Sequence, residues 1–183
     1  MIRYLLILLF TLLLSCNAKV KKNNYDKISD KYTKYTYQYK DFFKGKITLE
    51  AICVTDEVKN ALKRDMEKNN LKKDNIPFPT DKNYPVFLVA FYHYDNKLNI
   101  LNRKNSIWSI TLNLNGKKYH PSEIKRIYEN NYRVFNYYFK ENQRFSRFYL
   151  IEFKDIKLSD MKGKVILIFS TIKENLKLLW NFQ

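Results

Sequence analysis

Hydrophobic and polar residues alternate with a period of two over most of this chain and with a helical period in one stretch. The clearest alternation runs from Ile107 to Leu114, with Trp108, Ile110, Leu112 and Leu114 on one side and Ser109, Thr111 and Asn113 on the other. Asn115-Gly116 follows, a pair suited to a type I′ hairpin because both central residues of that turn take positive φ. Lys117 to Tyr119 begins the return, and His120-Pro121 ends it. Ile47 to Val54 reads as a strand with Leu49, Ala51 and Cys53 on one face, and Val86 to Tyr94 is almost continuously apolar, as in a central strand covered on both sides. Tyr132 to Phe139, Phe145 to Phe153, Val165 to Ile172 and Leu176 to Phe182 add four more strands. Tyr35, Tyr37 and Tyr39 alternate with Thr36 and Gln38 and predict a first strand whose aromatic side lies on the core. Ser122 to Tyr128 reads equally as a helical turn or an edge segment.

The helical stretch is 56 to about 68, where Val58, Ala61, Leu62 and Met66 share a face. Thr55 supplies the cap, and Asp56 and Glu57 meet the positive end of the helix dipole. Asn69-Asn70 ends it, and the proline-stiffened run to Tyr84 reads as a loop. Many strands, polar turns, one early helix and no βαβ alternation predict a mainly β domain: an antiparallel β-sandwich, immunoglobulin-like, with one inserted amphipathic helix near 56–68. A lipocalin-like barrel or an α+β layer is the alternative. Trp108 in a mid-chain strand resembles the core tryptophan of immunoglobulin-like domains, without the disulfide that usually accompanies it there.

The first residues follow another logic. Arg3 precedes an apolar run from Leu5 to Leu14, too short to span a bilayer, and Ser15 and Cys16 close it. Leu13-Leu14-Ser15-Cys16 resembles the lipobox of bacterial lipoproteins. That resemblance implies removal of a signal peptide, residues 1–15, by cleavage between Ser15 and Cys16, and acylation of Cys16. It places the protein in a bacterial cell envelope, and Asn17 rather than Asp after the cysteine favours the outer membrane. Residues 16–31, rich in Lys and Asn, read as a flexible tether, and 32–183 as the folded domain. With Cys16 committed to lipid, Cys53 has no disulfide partner and reads as an inert buried thiol.

Lys and Arg outnumber Asp and Glu by 34 to 18, a net charge of +16. Such a balance suits anionic lipid, an anionic envelope glycan or nucleic acid. Nucleic acid is the poorest fit, because the lysines are scattered and an exported domain does not meet it. Abundant Lys, Asn, Ile, Tyr and Phe also follow from a base-poor genome, and on that reading the charge is a solvated face. The lysines flanking turns, Lys44, Lys46, Lys117, Lys118, Lys162 and Lys164, are the candidate binding residues, since turns at the ends of a sandwich cluster in space.

The chemistry of common enzymes is hard to find. Three isolated glycines, Gly45, Gly116 and Gly163, cannot build a phosphate loop or a nucleophile elbow. His93 sits in an apolar strand and His120 before a proline, which is a poor metal set, and no cofactor is implied. Glu123, Glu129, Glu141, Glu152, Asp155 and Asp160 are the carboxylates among which a glycosidase-like pair would have to lie. The sequence therefore favours a non-catalytic binding or structural module tethered to a membrane, its partner an anionic lipid, an envelope glycan or an envelope protein. An envelope-polymer hydrolase or inhibitor and an assembly or chaperone subunit are the alternatives.

Overall fold

The computed structural model describes residues 24–39, 45–68, 82–128, 139 and 145–183. Among these, nine strands form two antiparallel sheets, and the fold is the mainly β sandwich that the alternation predicts. The chain enters through a helical turn, α1 (Ser29–Tyr32), and runs through β1 (Thr33–Tyr39), β2 (Lys46–Cys53), helix α2 (Asp56–Lys68), β3 (Val86–His93), β4 (Ser109–Leu114) and β5 (Lys117–Tyr119). It continues through β6 (Glu123–Ile127), β7 (Arg147–Glu152), β8 (Gly163–Ser170) and β9 (Asn175–Phe182). One sheet has the order β1-β2-β3-β7-β6 and the other β5-β4-β8-β9. The two-layer sandwich is as expected, but its strand order is not the immunoglobulin one. The first three strands form a meander within one sheet, whereas the immunoglobulin order divides consecutive strands differently.

Two cores hold these layers. Between the sheets, Leu49, Ala51, Cys53, Phe87, Val89 and Phe91 of the larger sheet meet Ile110, Leu112, Val165, Leu167, Phe169 and Trp180 of the smaller one. Phe87 meets Trp180 with ring centroids 5.3 Å apart, and Phe91 meets Trp108 at 5.0 Å. Trp108 is buried, and its indole N–H donates to the Leu98 carbonyl at 2.8 Å. On the other face of the larger sheet, Ile52, Leu88, Ala90 and Leu150 pack under Val58, Ala61 and Leu62 of α2. This second layer explains why β3 is apolar on both sides, where β4 and β9 alternate. The Thr55 hydroxyl accepts the Val58 N–H at 3.4 Å, as the cap reading of the helix start requires.

The two ends of the sandwich are distinct. The β3–β4 loop (94–108) and the β8–β9 turn (171–174) lie at one, here the upper end, beside the start of β2. The β4–β5 turn, the β7–β8 connection and the start of α2 lie at the lower end.

Two expectations are corrected. The tether predicted as far as Lys31 gives way at Asn24, because Tyr25 and Tyr32 are buried and the Asp65 carboxylate accepts the backbone N–H groups of Asn24 and Tyr25 at 2.8 and 2.9 Å. The aromatic face of β1 is not a core face: Tyr37 is exposed and Tyr35 half-buried, with the Lys46 ammonium 5.5 and 5.9 Å from their ring centroids. Helix α2 covers β2 and β3 but leaves the margin of β1 to solvent. Ser122 to Tyr128 resolves as the edge strand β6. Tyr132 to Tyr138, the Glu141-Asn142-Gln143 turn and the proline loop as far as residue 81 lie outside the described residues.

Candidate functional site

The turn lysines divide between the two ends. The Asn115-Gly116 turn has φ of 50° and 95°, as a type I′ turn demands, and is bolted to the β7–β8 turn. Asn115 donates its side-chain N–H to the Lys162 carbonyl at 2.9 Å, and its side-chain oxygen accepts the Lys164 N–H at 3.1 Å. Lys117, Lys118, Lys162 and Lys164 therefore share the lower end, while Lys46 opens β2 at the upper end. Lys44, like Ser15 and Cys16, lies outside the described residues. Sequence spacing does not reveal this division, because successive turns of an antiparallel meander alternate between ends.

The lower end is also where carboxylates gather. Glu123 and Glu152 are register partners, and the Lys154 ammonium reaches both, at 2.9 and 3.5 Å. Tyr84 donates its hydroxyl to Glu152 at 2.8 Å. The Lys154 hydrogen bond and charge hold the Glu123 carboxyl below its usual range, and burial followed by the Glu152 contact raises the Tyr84 hydroxyl. A cleft of about 400 Å³ opens nearby between Tyr32, Asp56, Glu57, Asn83, Ser159 and Phe182. In it Glu57 accepts from the Tyr32 hydroxyl and from Lys31 at 3.3 Å, and both contacts lower its pKa. A general acid for glycoside cleavage needs a carboxyl raised toward neutrality, and Glu57 and Glu123 are shifted the other way. Asp160 accepts from the Ser159 hydroxyl, and Glu129 and Glu141 lie outside the described residues.

Of the remaining chemistry-bearing side chains, Cys53 and His93 are built into the core. Burial pushes the Cys53 thiol far above its ordinary range, which removes the thiolate that reactivity needs. His93 is buried, accepts the Asp95 N–H at Nδ1 (2.9 Å) and lies 4.5 Å from the Tyr94 ring. His120 is exposed. Among the described residues, no group of three His, Cys, Asp or Glu side chains is placed to hold a metal, and no helix is long and apolar enough to cross a membrane.

What the sequence did not disclose is the character of the upper end. Seven large apolar side chains are exposed among the described residues, and six of them stand there: Tyr37, Tyr94, Ile107, Tyr128, Phe145 and Ile172. Ile172, at the tip of the β8–β9 turn, is fully exposed, and Phe145 is 71% exposed. Lys46, Lys97, Arg103, Lys104 and Lys173 are interspersed with them. The carboxylates of the two upper connections are turned to internal use. Asp95 caps its own turn by accepting the Lys97 N–H at 2.9 Å, and buried Glu174 accepts from the Thr171 hydroxyl. The lower end carries Asp56, Glu57, Glu123, Glu152, Asp155 and Asp160 together with Lys59, Lys117, Lys118, Lys154, Lys162 and Lys164, and the seventh exposed apolar side chain, Leu179, stands mid-strand on β9.

Comparison of the chain with protein-family models, with curated proteins and with solved structures returns no match.

Proposed function

We propose that this protein is a lipid-anchored module of a bacterial cell envelope, which presents the upper end of a rigid β-sandwich to a partner and acts by binding rather than by catalysis. The observation that carries the reading is the concentration of exposed large apolar side chains at that end, with cations between them; lysines stand at both ends, but only there do they flank exposed apolar tips. Exposed apolar surface concentrated in one region is a signature of an interaction site, where scattered single residues are not.

The anchor is Cys16, in the setting Leu13-Leu14-Ser15-Cys16. Acyl chains contribute about 0.8 kcal/mol per buried methylene, so a doubly or triply acylated cysteine holds its domain on a membrane essentially permanently. Outer-membrane placement follows from Asn17. The test is expression in a bacterium fed radiolabelled palmitate, followed by fractionation. Label in the full chain and in the membrane fraction, with both lost in Cys16→Ala, supports the reading. A Cys16→Ala chain still processed after Ser15 and still resistant to salt extraction overturns it.

A further inference from the structure

From the same geometry we infer that the partner of the upper end is the anionic phospholipid surface itself, with Ile172 and Phe145 entering the headgroup region while Lys173, Arg103 and Lys104 lie on lipid phosphates. This inference rests on the membrane anchoring proposed above and adds the orientation of the domain.

The shape of the apolar groups argues for lipid. Ile172 stands on the β8–β9 turn, Ile107 on the β3–β4 loop and Phe145 at the approach to β7, three separate points of the chain. A protein partner wants a contiguous, close-packed apolar centre with a polar rim. A fluid interface accepts separate tips, each entering between headgroups. A glycan would stack on flat rings, and the fully exposed tip at position 172 is aliphatic. A second copy of the same end is opposed by like charge.

The electrostatics agree. Lys173 follows Ile172 directly, and Arg103 and Lys104 precede Ile107, so each apolar tip has a cation within a few residues of it. The β3–β4 loop and the β8–β9 turn carry Lys97, Arg103, Lys104 and Lys173 against Asp95 and Glu174, so the described loops at this end are net positive. Attraction near an anionic surface amounts to about fivefold in affinity per basic residue.

Reach permits the docking. Seven residues, 17–23, lie between Cys16 and Asn24, which Asp65 pins beside α2, so the two are eight Cα steps apart. Fully extended these steps span at most about 28 Å, comparable to the roughly 26 Å length of an eight-residue strand. The lipid thus keeps the domain at the surface, and a contact too weak to hold alone is populated by proximity.

The test uses the full acylated chain reconstituted in vesicles of phosphatidylcholine, with or without one quarter phosphatidylglycerol. Single fluorophores are placed at I172C and, at the opposite end, K117C, and are quenched by headgroup-level nitroxide lipids. Strong quenching at position 172 and little at 117, in the anionic vesicles only, is the expected result. Equal quenching at the two positions, or quenching indifferent to lipid charge, overturns the inference. Flotation in high salt reads the anchor separately: a chain that floats without selective quenching refutes docking and leaves the anchor standing. A Cys16→Ser chain, which carries no acyl group, should bind the anionic vesicles weakly and lose at least tenfold on Ile172→Asp with Lys173→Glu. If it fails to bind, or binds undiminished after those changes, the orientation is refuted even where the anchor is not. Saturable binding of an acidic envelope protein by the same end, without vesicle binding, would also overturn it.

Discussion

Gly45 and Asp65 show how much of this fold depends on single residues. Gly45 has φ of 105°, and a Cβ built there would lie 2.5 Å from the Tyr94 Cβ. Gly45→Ala therefore combines backbone strain with a clash and should cost about 1–3 kcal/mol, read as a lower urea midpoint at unchanged slope. Unchanged stability would mean that Tyr94 is free to move aside. Asp65→Ala leaves the Asn24 and Tyr25 N–H groups without their acceptor, a loss of about 1–3 kcal/mol. Trypsin should then cut at Lys27 faster than in the parent, and an unaltered digestion rate would show that the entry turn is held by other contacts. Neither role is legible in sequence. Gly45 reads there only as a turn residue, and Asp65 as one of eight charges, four of each sign, on the helix, because their partners, Tyr94 and Asn24, are 49 and 41 residues away. Cys53 and Trp108 were legible, since their strand neighbours alone assign them to an apolar face.

Among the elements, period and turn chemistry carried most of the information. Helix α2, the Asn115-Gly116 hairpin and the alternation of β4 and β9 stand where the pattern puts them. The β1 face failed because alternation says that a strand has two faces but not which is covered. The entry turn failed because Tyr25 and Tyr32 are too few to mark a segment as ordered until a groove beside α2 receives them. Trp108→Ala should cost roughly 3–5 kcal/mol, since it removes a buried ring that contacts Phe91 and a hydrogen bond to Leu98. A melting temperature within a degree or two of the parent would contradict the packing described. The start of α2 makes a prediction in pH. Glu57 is held below its usual range by Tyr32 first and Lys31 next, so its contribution is present above the unfolded carboxyl pKa of about 4.3 and is lost as pH falls through the lower folded value. Glu57→Gln should flatten the acid limb of the stability profile below about pH 4. The effect will be small because the side chain is 48% exposed and screened. An acid limb identical to the parent's would assign that sensitivity to other carboxylates.

For the whole molecule, the central feature is an end-to-end polarity that no local pattern expresses. Net charge is a property of composition, and the sequence leaves it undecided between a solvated face and a binding face. Only the topology brings the β3–β4 loop, the β8–β9 turn and the approach to β7 together at one end, and Glu123, Glu152, Asp155 and Asp160 at the other. The same topology explains why the six turn lysines do not form the single patch that their chemistry suggested: Lys46 and the four described lysines of the lower turns are separated by the length of the strands. The most direct measurement is hydrogen exchange on the acylated chain in anionic and in neutral vesicles. Docking by the upper end predicts that amides of 94–108 and 171–174 slow in the anionic vesicles while those of 115–118 and 162–164 exchange as before. Protection at the lower turns instead, or no difference between the two lipid compositions, would contradict it.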